Sequence, residues 1–240
     1  ISNTGVINTF RNLIPNKNTL KHSFKYINNV KQTESYVCLH LGIDRPFKDL
    51  GIKNTNLWIY PEYDHDKSVD KFLDDSSSDF PVLYVSFPSA KDDLWNEKNP
   101  NKMTMEAITI SRWNWYKQWQ DEKWQKRSEQ YKKDKNELSQ RILKIVEKHV
   151  KGIGNNIKHQ ELSTPLTVRD LANYQKGEMY GLDHSPMRFR QKWLRPQSKI
   201  ENLFFVGQDI TTVGVSSALF SGLLTASSVL GKNLSSMLKD

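Results

Sequence analysis

The stretch that organises the chain lies near its end. Residues 203–206 are a short apolar run, Leu-Phe-Phe-Val, stopped by Gly207, which is the pattern of a fully buried strand. Gln208 and Asp209 follow at the strand's carboxyl end, where open α/β sheets place ligands. Gly214 then opens a helix from about Val215. On it Ala218, Leu219, Gly222, Leu223, Ala226, Val229 and Leu230 recur on one face, which predicts a buried side. The two glycines let backbone approach a flat ligand without a Cβ in the way. The first N–H groups of the helix lack intrahelical partners, and its dipole favours negative charge there. Asp209 suits either of two roles: accepting hydrogen bonds from sugar or polyol hydroxyls, or capping the helix. An ordinary strand–turn–helix fits the pattern as well.

Upstream the pattern is mostly that of strands. Residues 31–43 are rich in β-formers and end in a Gly42-Ile43-Asp44-Arg45-Pro46 turn. Residues 56–60 form a second short strand, ended by Pro61. Residues 80–91 carry a strong buried-strand signal, and residues 103–112 alternate as its partner. Residues 158–162 make another short strand. Asp64, His65 and Asp66 are metal-ligating types, but neighbours on an extended chain point to opposite sides, so they read as a polar turn. Trp113, Trp115, Trp119 and Trp124 interleave with Lys117, Lys123, Lys126 and Arg127. Trp115 and Trp119 share a helix face at this spacing, so a long helix packed on the sheet is favoured over a membrane-surface anchor. A helix over residues 128–150 buries Leu138, Ile142, Ile145, Val146 and His149, and Gly152 and Gly154 end it. Thr167 is the expected N-cap of a further helix, with Asp170 three residues on. Gly177 and Gly181 bracket Tyr180, and Asp183 and His184 follow.

Composition narrows this only modestly. The chain has 240 residues, 37% of them hydrophobic, enough for a sizeable core. No apolar run of about 18 residues is present, so no transmembrane helix is predicted, and no signal-peptide pattern opens the sequence. The single cysteine, Cys38, excludes an internal disulfide and suits a reducing, cytoplasmic setting. It reads as a small buried apolar residue, not a catalytic thiol. The net charge of +8 permits contact with anionic surfaces. No nucleic-acid motif accompanies it, so no nucleic-acid partner is expected.

Residues 202–230 resemble the C-terminal flavin-binding motif of the FAD-dependent amine oxidase and phytoene desaturase superfamily, above all its retinol saturase and carotenoid isomerase branch. The resemblance rests on Phe205-Val206-Gly207-Gln208-Asp209, Gly214, Ala218 and Ser221-Gly222. It runs nearly end to end. Ile1-Ser2-Asn3, Gly5 and Asn8-Thr9-Phe10 are similar to a segment well inside those proteins. Phe87-Pro88-Ser89-Ala90-Lys91-Asp92 and Gly177, Tyr180-Gly181, Asp183-His184 also have counterparts. The resemblance implies FAD held by Gly207, Gln208, Asp209, Gly214, Val215 and Ser216, with Asp209 at the ribityl-phosphate region. It implies Tyr180 and His184 as catalytic candidates, no metal, and NAD(P)H as a candidate electron donor. The implied substrate is an apolar polyene or isoprenoid, oxidised, reduced or isomerised at C=C bonds.

The expected architecture is α+β: a mixed or antiparallel sheet with flanking helices, plus the strand–loop–helix of an FAD-binding Rossmann-like domain. Residues 1–30 are assigned to the end of an FAD-binding section, 31–175 to a substrate domain, and 176–240 to the return into the FAD domain. No G-x-G-x-x-G follows a strand near Ile1. The N-terminal half of the FAD site is therefore expected outside these residues, on a missing N-terminal FAD-binding half. The competing expectation is a non-catalytic lipid- or membrane-surface-binding module that keeps the family fold, with peripheral membrane contact.

Overall fold

A computed structural model describes residues 1–14 and 27–238. Two compact units result, one of Ile1–Thr33 with Glu178–Asp240 and one of Glu34–Gly177. Helices and an antiparallel five-stranded sheet give an α+β fold. No helix among the described residues is long and apolar enough to cross a membrane.

The sheet belongs to the Glu34–Gly177 unit. Its strands are β1 (Ser35–Ile43), β2 (Leu57–Ile59), β3 (Leu83–Ser86), β4 (Met103–Ser111) and β5 (Ile157–Ser163). They lie in the order β2-β3-β4-β1-β5, antiparallel throughout. The expected strands are all present, and the expected pairing of β3 with β4 is observed. Alternation decides which face is covered. Val37, Leu39, Leu41 and Ile43 of β1 and Met103, Met105 and Ala107 of β4 point into the core. His40, Glu106 and Ile108 occupy the half-exposed face.

Helices α1 (His65–Asp74) and α2 (Glu129–His149) contribute to that core. The polar turn expected at residues 64–66 is the start of α1. The Asp64 side chain accepts from the Lys67 N–H at 3.1 Å, a helix N-cap. Phe72 then anchors the helix, packing edge-on against Phe80 and Trp115. Trp113, Trp115 and Trp119 do pack inward, but on a short helical turn, Trp113–Tyr116, and a 3-10 turn, Lys117–Trp119, not on one long helix, while Trp124 lies beyond both turns and is exposed. Trp119 is buried against Tyr131 of α2, ring centroids 5.4 Å apart. On α2, Ile142 and Val146 are buried as expected, with Tyr131 and Leu143 added. His149 is exposed instead, because the helix ends there and Val150 takes the buried place.

Helix α3 (Pro165–Ala172) starts earlier than its sequence suggests. Thr164, not Thr167, is the N-cap, and Thr167 closes a capping box as its N3 residue, with Pro165 at the first position. Asp170 pairs instead with Arg127 and Arg169. Cys38 is buried, and burial followed by the nearby Glu106 pushes its thiol up to about 12, so it stays protonated and unreactive.

Leu39 is fully buried at the middle of the sheet. Leu39→Ala is expected to destabilise the Glu34–Gly177 unit by about 2–5 kcal/mol, the usual cost of a core cavity, read from the midpoint of denaturant unfolding.

Candidate cofactor site

The organising stretch belongs to the other unit. Its core gathers Val6, Phe10, Ile27, Leu182, Leu194 and Phe205. Residues 203–206 make bridges and not a continuous ladder: Ser2 pairs parallel with Phe205, and Gln197 pairs antiparallel with Phe204. Helix α4 (Val215–Leu230) completes the expected strand–loop–helix.

The face α4 turns inward is not the apolar one. Only Ser221 and Thr225 are buried on it, whereas Leu219, Val229 and Leu230 are exposed. The cause is backbone satisfaction. A segment held by isolated bridges leaves peptide groups to be partnered some other way. Ser221 Oγ accepts from the Gly207 N–H at 2.7 Å, and Thr225 Oγ1 donates to the Phe205 carbonyl at 2.7 Å. Gly207 has φ 103°, and a Cβ there would collide with the Asn3 side chain. Only glycine meets both demands.

Asp209 does not cap α4. It is buried, and its carboxylate accepts two backbone N–H groups: Val6 at 2.8 Å and Leu182 at 3.0 Å. It therefore ties together three stretches distant in sequence. Gly181 passes so close to that carboxylate that a side chain would collide with it.

A residue without any sequence mark completes the support. Arg188 is only 2% exposed. Its guanidinium donates to the carbonyls of Gln208 at 2.7 Å, Thr211 at 2.8 Å and Asp183 at 3.3 Å. Burial lowers its pKa, with Asp209 and Asp183 opposing that shift. It sits in a short helical turn, Pro186–Phe189, capped by Ser185. A single arginine among 35 basic residues gives sequence reasoning nothing to seize on.

His184 holds the far end of the loop. Its Nε2 accepts from the Val213 N–H at 3.0 Å, which places its proton on Nδ1. Its pKa is lowered, first by burial and then by Arg188. Tyr180 and Gln208 are both half-buried. Gly214 ends the loop at φ 106°, with nothing within 4 Å of where a Cβ would stand, and no side chain caps α4. Gly214, Val215 and Ser216 are all exposed. Such a helix start offers unpartnered N–H groups and open space to a flat polar or anionic ligand edge.

Two outcomes follow from these contacts. Asp209→Asn sets an amide NH2 against one backbone donor. A loss of about 1–3 kcal/mol is expected, seen as faster hydrogen exchange at the Val6 or Leu182 amide while β1 amides are unchanged. Protonating His184 turns Nε2 into a donor facing another donor. Because the folded-state pKa lies below the ordinary 6.5, the contact stabilises fully above that pH and is lost as pH falls through the lowered value. The melting difference between the native chain and His184→Ala should be present above pH 6.5 and shrink as the pH is lowered below it.

No family model matches the chain. It is 31% identical over 242 residues to the all-trans-retinol 13,14-reductase of Danio rerio, covering 98% of this chain and 40% of that protein. Against the Homo sapiens all-trans-retinol 13,14-reductase the identity is 30% over 254 residues, covering 100% of this chain and 41% of that one. An inactive all-trans-retinol 13,14-reductase of Danio rerio is 26% identical over 243 residues. The chain spans about two fifths of the length of these relatives. Along its whole length, then, it is a homologue of part of the all-trans-retinol 13,14-reductases, the retinol saturases.

Proposed function

We propose that this chain is the substrate-domain and C-terminal flavin-loop portion of an FAD-dependent oxidoreductase of retinol saturase type, acting on C=C bonds of a polyene. The observation that supports this most is the uncapped start of α4. Gly214 leaves open space there, on a loop braced by Asp209 and Arg188, in a chain homologous to reductases. In this reading Gly214, Val215 and Ser216 receive the polar edge of the flavin on their N–H groups. Gly207 and Gln208 shape the approach. Asp209 holds the loop, since both its oxygens already accept backbone N–H groups. FAD, when bound, supplies the hydride chemistry, and the protein supplies orientation and exclusion of water. His184 uses Nε2 to position Val213, which leaves Tyr180 as the proton-donor candidate. The apolar polyene or isoprenoid lies along the half-exposed face of the sheet, where Trp58 packs at a tilt against Tyr84 beside Ile108. NAD(P)H serves as electron donor. The glycine-rich half of the FAD site is supplied by a further portion of protein, against which the exposed apolar side of α4 packs.

A second reading rests on that same side. Val215 is 89% exposed and Leu219 77%. Such a face also suits peripheral contact with a lipid surface, by a module that binds no cofactor.

The test is the visible absorption spectrum of the chain purified alone and purified with the glycine-rich FAD-binding portion. Flavin bands are expected only in the combination. Gly214→Val should lower flavin occupancy at least about tenfold, because its φ is unsuitable for valine and its side chain enters the cofactor's space. Absence of flavin from both preparations, with the chain sedimenting on anionic vesicles, would replace this function with the lipid-binding one.

A further inference from the structure

β1 lies between β4 and β5, and the register gathers polar side chains from all three strands on the half-exposed face. His40 stands directly opposite Glu106 of β4 and Glu161 of β5. Ser163 ends β5 opposite Cys38, one side-chain step along β1 from His40. Opposite and diagonal neighbours on antiparallel strands are within side-chain reach of one another.

The contacts have an order. Ser163 Oγ stands 3.0 Å from His40 Nε2. At the other end of the ring, Nδ1 stands 3.4 Å from Glu106 Oε1 and 3.8 Å from Cys38 Sγ. A carboxylate only accepts, so Glu106 favours the proton on Nδ1. Nε2 is then the bare nitrogen, and the Ser163 hydroxyl donates to it. Hydroxyl, base and orienting carboxylate thus follow one another, the sequence an activated nucleophile needs, with a carboxylate contact as loose as resting sites of this kind show. Glu161 is taken up by Lys135 at 2.5 Å. Cys38 is 6% exposed and its thiol stays protonated, so the serine is the nucleophile.

The surroundings fix the chemistry further. The His40 and Glu106 side chains are each 40% exposed, so a substrate can reach them. Ser163 is half-buried at the end of its strand, and α3 begins at Pro165 just past it. Acyl-transfer serines recur at such strand-to-helix turns, and the positive end of the helix favours the negative charge that develops there. The Thr164 N–H is engaged by Thr167 Oγ1 at 3.1 Å, so the oxyanion gains this field without that donor. Esters with a good leaving group are therefore the class expected. Ile108, two residues along β4 from Glu106, and Tyr84 opposite it on β3 continue the face and suit an apolar body.

We propose that Ser163, His40 and Glu106 form an acyl-transfer site that hydrolyses activated carboxylic esters with an apolar body. Ser163 Oγ bonds to the ester carbonyl carbon while its proton passes to His40 Nε2. The bond from that carbon to the leaving oxygen breaks, and His40 returns the proton to the leaving group. Water then attacks the acyl-serine by the same proton route, which releases a carboxylic acid and restores Ser163. Glu106 positions the ring and balances its charge once protonated. No redox step enters, and all three residues belong to the Glu34–Gly177 unit, so the inference stands apart from the flavin reading.

The test is hydrolysis of p-nitrophenyl butyrate by the 240-residue chain, with labelling by an alkyl fluorophosphonate and mass spectrometry of the modified peptide. Release of p-nitrophenolate should saturate with ester and run at least about a hundredfold faster than with an equal concentration of free imidazole. One label is expected, on Ser163, a result that needs no variant. Ser163→Ala and His40→Gln should each lower kcat/KM at least about a hundredfold, with thermal melting confirming folded chains. Glu106→Gln should lower kcat at least about tenfold and leave KM unchanged, the mark of a residue that positions the base. Turnover no faster than imidazole, a label on another residue, or activity that survives Ser163→Ala or His40→Gln would each overturn the proposal.

Discussion

The Asp209 carboxylate is the contact on which its unit depends. It accepts the Val6 and Leu182 amides, and so fastens the first residues to two late segments. A carboxylate suits this because it offers acceptors only, in two directions, and bonds from backbone N–H groups to a charged acceptor are stronger than those to a neutral one. The rest of the loop over residues 207–214 is arranged around that knot. Gly181 and Gly207 make room at points of close approach. Arg188 collects carbonyls on the other side of the same loop. The loop thus presents Gly214 and the start of α4 from a braced position, the condition for orienting a ligand.

The sheet unit rests on a different constraint, the filling of one face. Long side chains fill it at Met103 and Met105, and aromatic rings fill it elsewhere. Where β4 runs down to Thr109 and Ser111 the filling stops, and a cavity is the remainder. The same alternation that makes a core thereby also makes a hollow.

The elements set by short-range pattern were readable. β4 alternates cleanly between buried and half-exposed positions, and its pairing with β3 was readable, whereas its pairing with β1 was not. The glycine-bracketed loop and α4 were readable too, because positive-φ positions favour glycine. What escaped depends on partners distant in sequence. The inward face of α4 is chosen by Ser221 and Thr225, since the bridge-held segment beside it needs hydrogen bonds. The role of Asp209 depends on the Val6 amide, which no local window includes. Arg188 looks like any other basic residue until its burial is known. α1 was missed because Asp64, His65 and Asp66 read as a polar turn, when Asp64 is a helix cap.

The bond from Val6 to Asp209 spans 203 positions. The sheet unit is one continuous run, Glu34–Gly177, while its companion is assembled from both flanks. Synthesis from the N-terminus therefore delivers the sheet unit whole while the first flank still waits for its partners. Val6 and Phe10 meet Leu182 and Phe205 in their shared core only once the later flank has been made. Closing so long a loop is entropically costly and slow. A ribosome stalled before residue 209 therefore leaves the sheet unit complete while the bond from Val6 to Asp209 cannot yet form.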